Sequence, residues 1–198
     1  MHRLMEFISR GMAYLGGIVL SILIILTCVS VTGRTLNGWL HDDFLQGLAP
    51  GFADWLLARG IGPINGDFEI VEAGIAFAIF AFLPLCQITA GHASVDIFTS
   101  FLPARVQRTM RAVTEVVFAL VLVLIAWRLY EGLLSKHQNG ETSWLLQFPI
   151  WWAYAASFFG SVMAAIVGVY MAGVRIAEAA TGREIIAESK GDDLEAKA

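Results

Sequence analysis

Five ionisable residues border the most apolar parts of this 198-residue chain and are its first candidates for chemistry. They lie near the ends of long apolar segments and carry opposite charges: Arg34, Glu69, Glu72, Arg128 and Glu131. We expect Arg34 and Arg128 to pair with these carboxylates in a structural polar network that fixes helix register. The alternative is a transported-ion site, because ionisable groups inside a bilayer often mark an ion or substrate path. Positions close to water favour structural pairing.

Histidine and cysteine give weaker indications of metal or redox chemistry. His92 and Asp96 are four residues apart and could share a helical face, but two ligands alone are a weak metal signal. Cys28 and Cys86 lie in apolar runs without a Cys-x-x-Cys pair, which argues against a thiol–disulfide enzyme. No nucleophile–base spacing stands out either. The sequence therefore indicates no enzyme activity, no catalytic, substrate-binding or metal residues, and no cofactor.

Four apolar segments must position these side chains, and their composition identifies a membrane protein. They cover residues 12–32, 70–90, 112–134 and 148–172, each near the ~20 residues with which an α-helix crosses a bilayer. The chain is 57% hydrophobic and 15% charged, which is outside the usual range for soluble domains. We predict an all-α membrane protein with four transmembrane helices in residues 1–175 and an acidic cytoplasmic tail in residues 176–198.

Basic and aromatic residues predict the orientation of these helices. Most of the 13 basic residues precede the first segment, lie between the second and third, or follow the fourth. Because cytoplasmic loops are rich in Lys and Arg, both termini should be cytoplasmic. All six tryptophans then belong to the outer side, and Trp151, Trp152 and Tyr154 should lie at the outer interface.

Two connections have a composition of their own. The external loop, residues 37–67, is rich in apolar residues and could fold over the helices or dock a partner. Residues 92–102 predict a short helix in the plane of the inner interface, with His92 and Asp96 on its polar side. Arg105 and Arg108 follow at the same interface. For His92 and Asp96 we favour capping, snorkelling or partner contacts over metal binding.

The fourth segment carries a stripe of small residues at intervals of four. Its members are Ala156, Gly160, Ala164, Gly168 and Ala172. Small residues let helix backbones approach closely, so this small-residue stripe predicts an intimate helix contact, within the chain or with another subunit. Ala13, Gly17 and Ser21 on the first helix are the natural candidates for the answering face.

Taken in order, several short motifs resemble the small membrane subunit, the DctQ type, of tripartite ATP-independent periplasmic (TRAP) transporters. The similarity covers about residues 31–174 and consists of VTGRTLN, EIVEAGIAF, GHASVD, FLP and FPIWWAYAASFFG. Each motif is short and apolar-rich, but their order and spacing agree with the four predicted spans.

The resemblance implies a noncatalytic scaffold subunit of a sodium-driven importer of an organic acid in the bacterial inner membrane. A large membrane subunit would hold the substrate and sodium sites, and a periplasmic binding protein would deliver substrate in a transient complex. The alternatives are a stand-alone homo-oligomeric carrier, which should have a carboxylate at mid-membrane, and a membrane redox enzyme, which the Cys and His positions disfavour. No basic run indicates nucleic-acid binding.

Overall fold

The computed structural model of the protein describes residues 2–41, 51, 60, 62, 64–89 and 103–181. Its helices are α1 (His2–Leu40), α2 (Asp67–Ile88), α3 (Ala104–Asn139) and α4 (Trp151–Thr181). All four are long and apolar enough to cross a membrane, which confirms the prediction of an all-α protein with four such helices. The predicted interfacial helix, most of the external loop and the tail beyond residue 181 lie outside the described residues.

Glycine and proline set several of the helix ends. Gly66 has a left-handed backbone (φ 80°) just before α2, and Gly140 (φ 62°) ends α3 in the same conformation. Pro103 precedes the first turn of α3, where a missing N–H costs nothing. Pro84 is inside α2 and fully buried, and the helix continues through it to Ile88.

The helices lie side by side in the spatial order α1, α2, α4, α3. α1 packs along α2, α2 along α4, and α4 along α3, while α1 touches α4 only slightly. Among the described residues, α1 and α3 make no extended contact. In the most apolar 18-residue part of α4, 50% is buried inside the protein, compared with 17% in the corresponding part of α1. The domain is therefore an open row with α4 near its centre, rather than a closed four-helix bundle.

Apolar side chains fill the two contacts of α4. Against α3 the buried cluster consists of Leu122, Ala126, Ala164 and Ala165. Against α2 it consists of Ile88, Val167 and Met171, with Leu85 and Met5 packed against it. Packing of this kind holds helices together in lipid, where hydrophobicity itself gives no drive for association.

The small-residue stripe faces the inside of this row. Gly160, Ala164, Gly168 and Ala172 are buried, whereas Ala156 is exposed. A Cβ atom at Gly160 would lie 2.9 Å from Cβ of Phe80 on α2, and one at Gly168 would lie 2.9 Å from Cδ1 of Leu122 on α3. The expected answering face on α1 is therefore wrong. A Cβ at Gly17 would meet nothing within 4 Å, because α2 separates α1 from the stripe.

Candidate functional site

Glu69, in the first turn of α2, binds the connection between α3 and α4. Its carboxylate accepts hydrogen bonds from Ser143 Oγ (2.8 Å) and from the backbone N–H groups of Leu145 (2.8 Å) and Leu146 (3.0 Å). The residue is only 7% exposed. Because hydrogen bonds to an ionised acceptor are stronger than neutral ones, this carboxylate fixes the loop against α2.

The same connection is ordered by its own contacts. Thr142 and Pro149 form an isolated antiparallel bridge that brings the two ends of the loop together. A Cβ atom at Gly66 would lie 2.5 Å from Cγ of Leu146, so only glycine allows the loop to approach α2 this closely. Trp144 is 93% exposed at the tip. The loop thus presents a large aromatic side chain on a fixed backbone.

An ion pair closes the end of α3 onto this loop. Lys136 Nζ donates to Glu141 Oε2, and Asn139 donates to the other carboxylate oxygen of Glu141. The hydrogen bond from Lys136 is the main reason that the pKa of Glu141 is lowered from its ordinary value. Glu141 is therefore ionised at neutral pH and strengthens the turn that follows α3.

A largely apolar groove opens beside this junction, between α2, the loop and α4. Its volume is about 630 Å³, within the usual range of small-molecule and side-chain pockets. Phe68, Phe80, Leu129, Leu145, Phe148 and Tyr154 supply much of its lining. Glu72 also lines it and is exposed, so the groove has one carboxylate facing the surroundings.

A separate polar contact joins α1 to the start of α2. Ser30 is fully buried, and its hydroxyl donates to Asp67 Oδ2 at 2.5 Å and accepts from the backbone N–H of Ile64 at 3.3 Å. Arg34 lies 3.7 Å from the same carboxylate oxygen, with most of its side chain exposed. Two turns of α1 are thereby tied to the residue that opens α2.

The residues of the predicted polar network fall into separate groups. Arg34 pairs with Asp67, while the carboxylate of Glu69 is bound by the α3–α4 loop. Arg128 pairs with Glu131 on its own helix at 2.9 Å, and Trp127 Nε1 also donates to Glu131 at 2.7 Å. Arg34 and Arg128 cannot meet, because α1 and α3 are the two ends of the row.

The predicted interfacial residues that the structure describes are placed around the α4 start and the α3 start. Trp151 is half-buried and makes an edge-on contact with His137, with ring centroids 5.2 Å apart, whereas Trp152 is 57% exposed. Tyr154 packs against Gly132 of α3. Arg108 is half-buried near the start of α3, and Arg105 lies in the first turn of that helix. His92 and Asp96 lie outside the described residues.

Several polar residues that the sequence analysis did not single out lie at the opposite ends of the helices, away from the α3–α4 loop. Gln87 of α2 donates from Nε2 to Glu115 of α3. Arg175 and Glu178 of α4 are both almost fully buried and form an ion pair at 2.8 Å. Their spacing of three residues, continuing the buried side of α4 beyond Ala172, was the signal available in the sequence. Nothing in the sequence singled out Ser143, or the loop N–H groups that bind Glu69.

The polar contacts of the described residues position helices and a loop. Among the described residues, no three His, Cys, Asp or Glu side chains are grouped so that they could hold a metal ion. The carboxylates of Glu69 and Asp67 accept hydrogen bonds from other segments, and those of Glu131 and Glu178 pair with arginines of their own helices. The groove and the exposed loop tip are the features suited to contact with another molecule.

Comparison with known proteins identifies one family. The family described as tripartite ATP-independent periplasmic transporters, DctQ component, matches residues 51–178, well over half of the chain. No curated protein and no solved structure matches the chain.

Proposed function

Because this chain belongs to the DctQ component family of tripartite ATP-independent periplasmic transporters, we propose that it is the noncatalytic scaffold subunit of a sodium-driven importer. The imported substrate is an organic acid, delivered by a soluble binding protein to a large membrane subunit. The small subunit lies in the bacterial inner membrane, with both termini in the cytoplasm. It braces the large subunit and keeps it oriented in the bilayer.

The observation that carries this proposal is the open row of helices. A carrier that works alone needs a substrate site near the bilayer midplane, reached alternately from the two sides. Here the small-residue stripe of α4 packs tightly against α2 and α3, and the row has two broad outer faces. Large apolar side chains are exposed along α1 and α3, including Ile18, Ile22, Leu120 and Leu124. A flat apolar unit of this kind is suited to lie against a larger membrane protein.

The polar contacts support the same role. Glu69 holds the α3–α4 loop, Asp67 holds α1, and Arg175 pairs with Glu178, so these charges stabilise the subunit itself. Buried charges are retained in membrane proteins either for transport or for fixed pairing. Polar groups are paired near both ends of the helices, and this fixed pairing favours a rigid brace.

Reconstitution of the transporter from its parts tests the proposal. The binding protein is first screened by thermal shift, and the organic acid that raises its melting temperature most is used as the radiolabelled probe. Vesicles then receive this chain alone, the large subunit alone, or both, each with the binding protein and an inward sodium gradient. We expect uptake only with both membrane subunits, and its loss when potassium replaces sodium.

Two results would contradict the proposal in different ways. Sodium-dependent uptake by vesicles that hold this chain alone would make it a carrier rather than a scaffold. Full uptake by the large subunit alone would remove the need for a brace. Co-purification of the two subunits serves as the control that the complex has formed.

A further inference from the structure

Exposed arginines lie at or near the ends of the apolar stretches on the two outermost helices, and Arg128 lies six residues before the end of the third apolar segment. On α1 they are Arg10 and Arg34, and on α3 they are Arg111 and Arg128. The side chains of Arg10 and Arg34 are each 64% exposed, and that of Arg128 is 76% exposed. Because arginine is costly in the hydrocarbon core, these positions indicate where each helix leaves it.

Contacts along the row show how the two helices are aligned, beginning with α3 and α4. These helices run antiparallel, and Tyr130 of α3 packs against Phe158 of α4 with ring centroids 5.5 Å apart. Arg128 precedes Tyr130 by two residues and Gly160 follows Phe158 by two. Arg128 is therefore level with Gly160.

The next two contacts carry this level to α1. A Cβ atom at Gly160 would lie 2.9 Å from Cβ of Phe80 on α2, and the neighbouring Ala81 lies 3.0 Å from the Cβ position of Gly16. Arg128 on α3 is thus level with Gly16 on α1. Gly16 lies near the start of the first apolar segment, residues 12–32, and far from Arg34.

The charged ends of α1 and α3 are consequently offset along the helix axes. Arg34 lies about 18 residues beyond Gly16, so its level differs from that of Arg128 by ~27 Å. At the opposite end, Arg111 lies about 11 residues, or ~16 Å, beyond the level of Arg10. The two offsets have the same direction.

The inner helices, α2 and α4, leave the hydrocarbon core at levels between those of Arg34 on α1 and Arg128 on α3. On α2 the first acidic residue, Asp67, is level with Ser30 of α1, to which it is hydrogen-bonded. On α4 the exposed Trp152 lies near the level of Gly74 of α2, which contacts Leu23 of α1. The boundary therefore shifts steadily along the row, as a plane that cuts it obliquely would require.

We propose that the row of helices is inclined in the membrane, with a tilt of about 30–45° in the plane of the row. The offsets of ~16–27 Å accumulate over three helix spacings of ~9 Å each, which gives this angle. At such a tilt the ~36 Å between Arg10 and Arg34 spans ~28 Å of depth, close to the thickness of a hydrocarbon core. The ~25 Å between Arg111 and Arg128 spans ~20 Å, so these two long side chains must snorkel towards the opposite surfaces. The outer turns of α3 then project from one surface and the first turns of α1 from the other.

Three exposed positions separate the inclined row from an upright one. Ile22 and Leu134 lie at about the same level along the row, because Leu23 contacts Gly74 while Tyr154 contacts Gly132. Leu120, by contrast, is level with the start of the α1 apolar stretch. In the inclined row Ile22 and Leu120 are both near the bilayer midplane, and Leu134 is in water.

Spin-label depth measurements test these placements in the full-length chain. Single variants Ile22→Cys, Leu120→Cys and Leu134→Cys are made in a Cys28→Ser, Cys86→Ser background and reconstituted with the large subunit. Accessibility to oxygen and to a water-soluble nickel chelate is measured in phosphatidylethanolamine–phosphatidylglycerol vesicles. Because contact with the large subunit lowers both accessibilities, depth is read from the ratio of oxygen to nickel accessibility. We expect a high ratio for the first two labels and a low ratio for the third.

If the row is upright, the labels at Ile22 and Leu134 lie at the same depth, and the label at Leu120 lies at a different one. Equal depths for the labels at Ile22 and Leu134, with a shallow label at Leu120, would overturn the proposal. Co-purification of each labelled variant with the large subunit is the control for correct assembly. Polarised infrared spectra of oriented membranes in which only this chain carries ¹³C give a second measure. A mean tilt below about 20° for the ¹³C-shifted helix band would also overturn the proposal.

Discussion

Glu69 stabilises a loop that belongs to two other helices. Its carboxylate binds one hydroxyl and two backbone N–H groups of residues 143–146 while remaining almost fully buried. Because hydrogen bonds to an ionised acceptor are stronger than neutral ones, Glu69 ties this loop to α2. Glu72, one turn further along α2, is exposed and provides a matched comparison.

Replacing Glu69 should therefore loosen the α3–α4 loop. We expect Glu69→Ala to lower the melting temperature of the purified protein and to speed amide exchange at Leu145 and Leu146, measured by hydrogen–deuterium exchange. Glu72→Ala should change both quantities much less. Equal exchange in the two variants would mean that Glu69 does not hold the loop.

At the scale of single helices, α4 is the element on which the packing depends. Its glycines differ in what surrounds them: Gly160 faces backbone and Cβ atoms of α2, Gly168 faces the tip of Leu122, and a Cβ at Gly173 would meet nothing within 4 Å. Backbone cannot move aside as the end of a flexible side chain can. The three positions should therefore respond differently to the same substitution.

Alanine substitutions at these glycines test this ranking. Gly160→Ala should destabilise the protein by about 1–3 kcal/mol, since added methyl groups in a packed core force neighbours apart. Gly168→Ala should cost less, because Leu122 can change rotamer. Gly173→Ala should be neutral or stabilising, since alanine favours helix by ~1 kcal/mol. Denaturant unfolding in detergent measures all three, and a Gly173→Ala loss as large as that of Gly160→Ala would contradict the ranking.

In the part of the chain that the structure describes, the molecule is an open row whose end helices make no extended contact. Contacts run from α1 to α2, from α2 to α4 and from α4 to α3, and closing this series into a ring would bring α3 beside α1. The row leaves the outer sides of α1 and α3 exposed, as the proposed scaffold role requires. It also allows the inclination that the exposed arginines indicate.

Paired cysteines distinguish the open row from a closed bundle. In a chain without Cys28 and Cys86, Gly16→Cys with Ala81→Cys should oxidise readily, because the Cβ positions are 3.0 Å apart and need to separate only slightly. Ile22→Cys with Leu134→Cys, on α1 and α3 at about the same level along the row, should form no bond within one chain. Mass spectrometry of cross-linked peptides reads both results. An efficient α1–α3 link would contradict the open row.

The four helices could be predicted from the sequence, because a segment of ~20 apolar residues has few stable alternatives in a bilayer. The burial of Gly160 and Gly168 could also be anticipated, since small residues at intervals of four lie on one helical side. The helices that pack against this side of α4 could not be predicted from the sequence. The choice of α2 and α3 over α1 depends on the spatial order of the helices, which no local pattern specifies.

By itself, the sequence determined the type of protein: four apolar helices with polar groups near their ends, and ordered motifs like those of the family that matches residues 51–178. The tertiary structure decided which polar groups meet. Arg34 pairs with Asp67 and Glu69 binds backbone N–H groups, because partners in neighbouring helices are chosen by packing geometry rather than by charge alone. Apolar length is a local property of the chain, whereas helix order and inclination are properties of the contacts between distant segments.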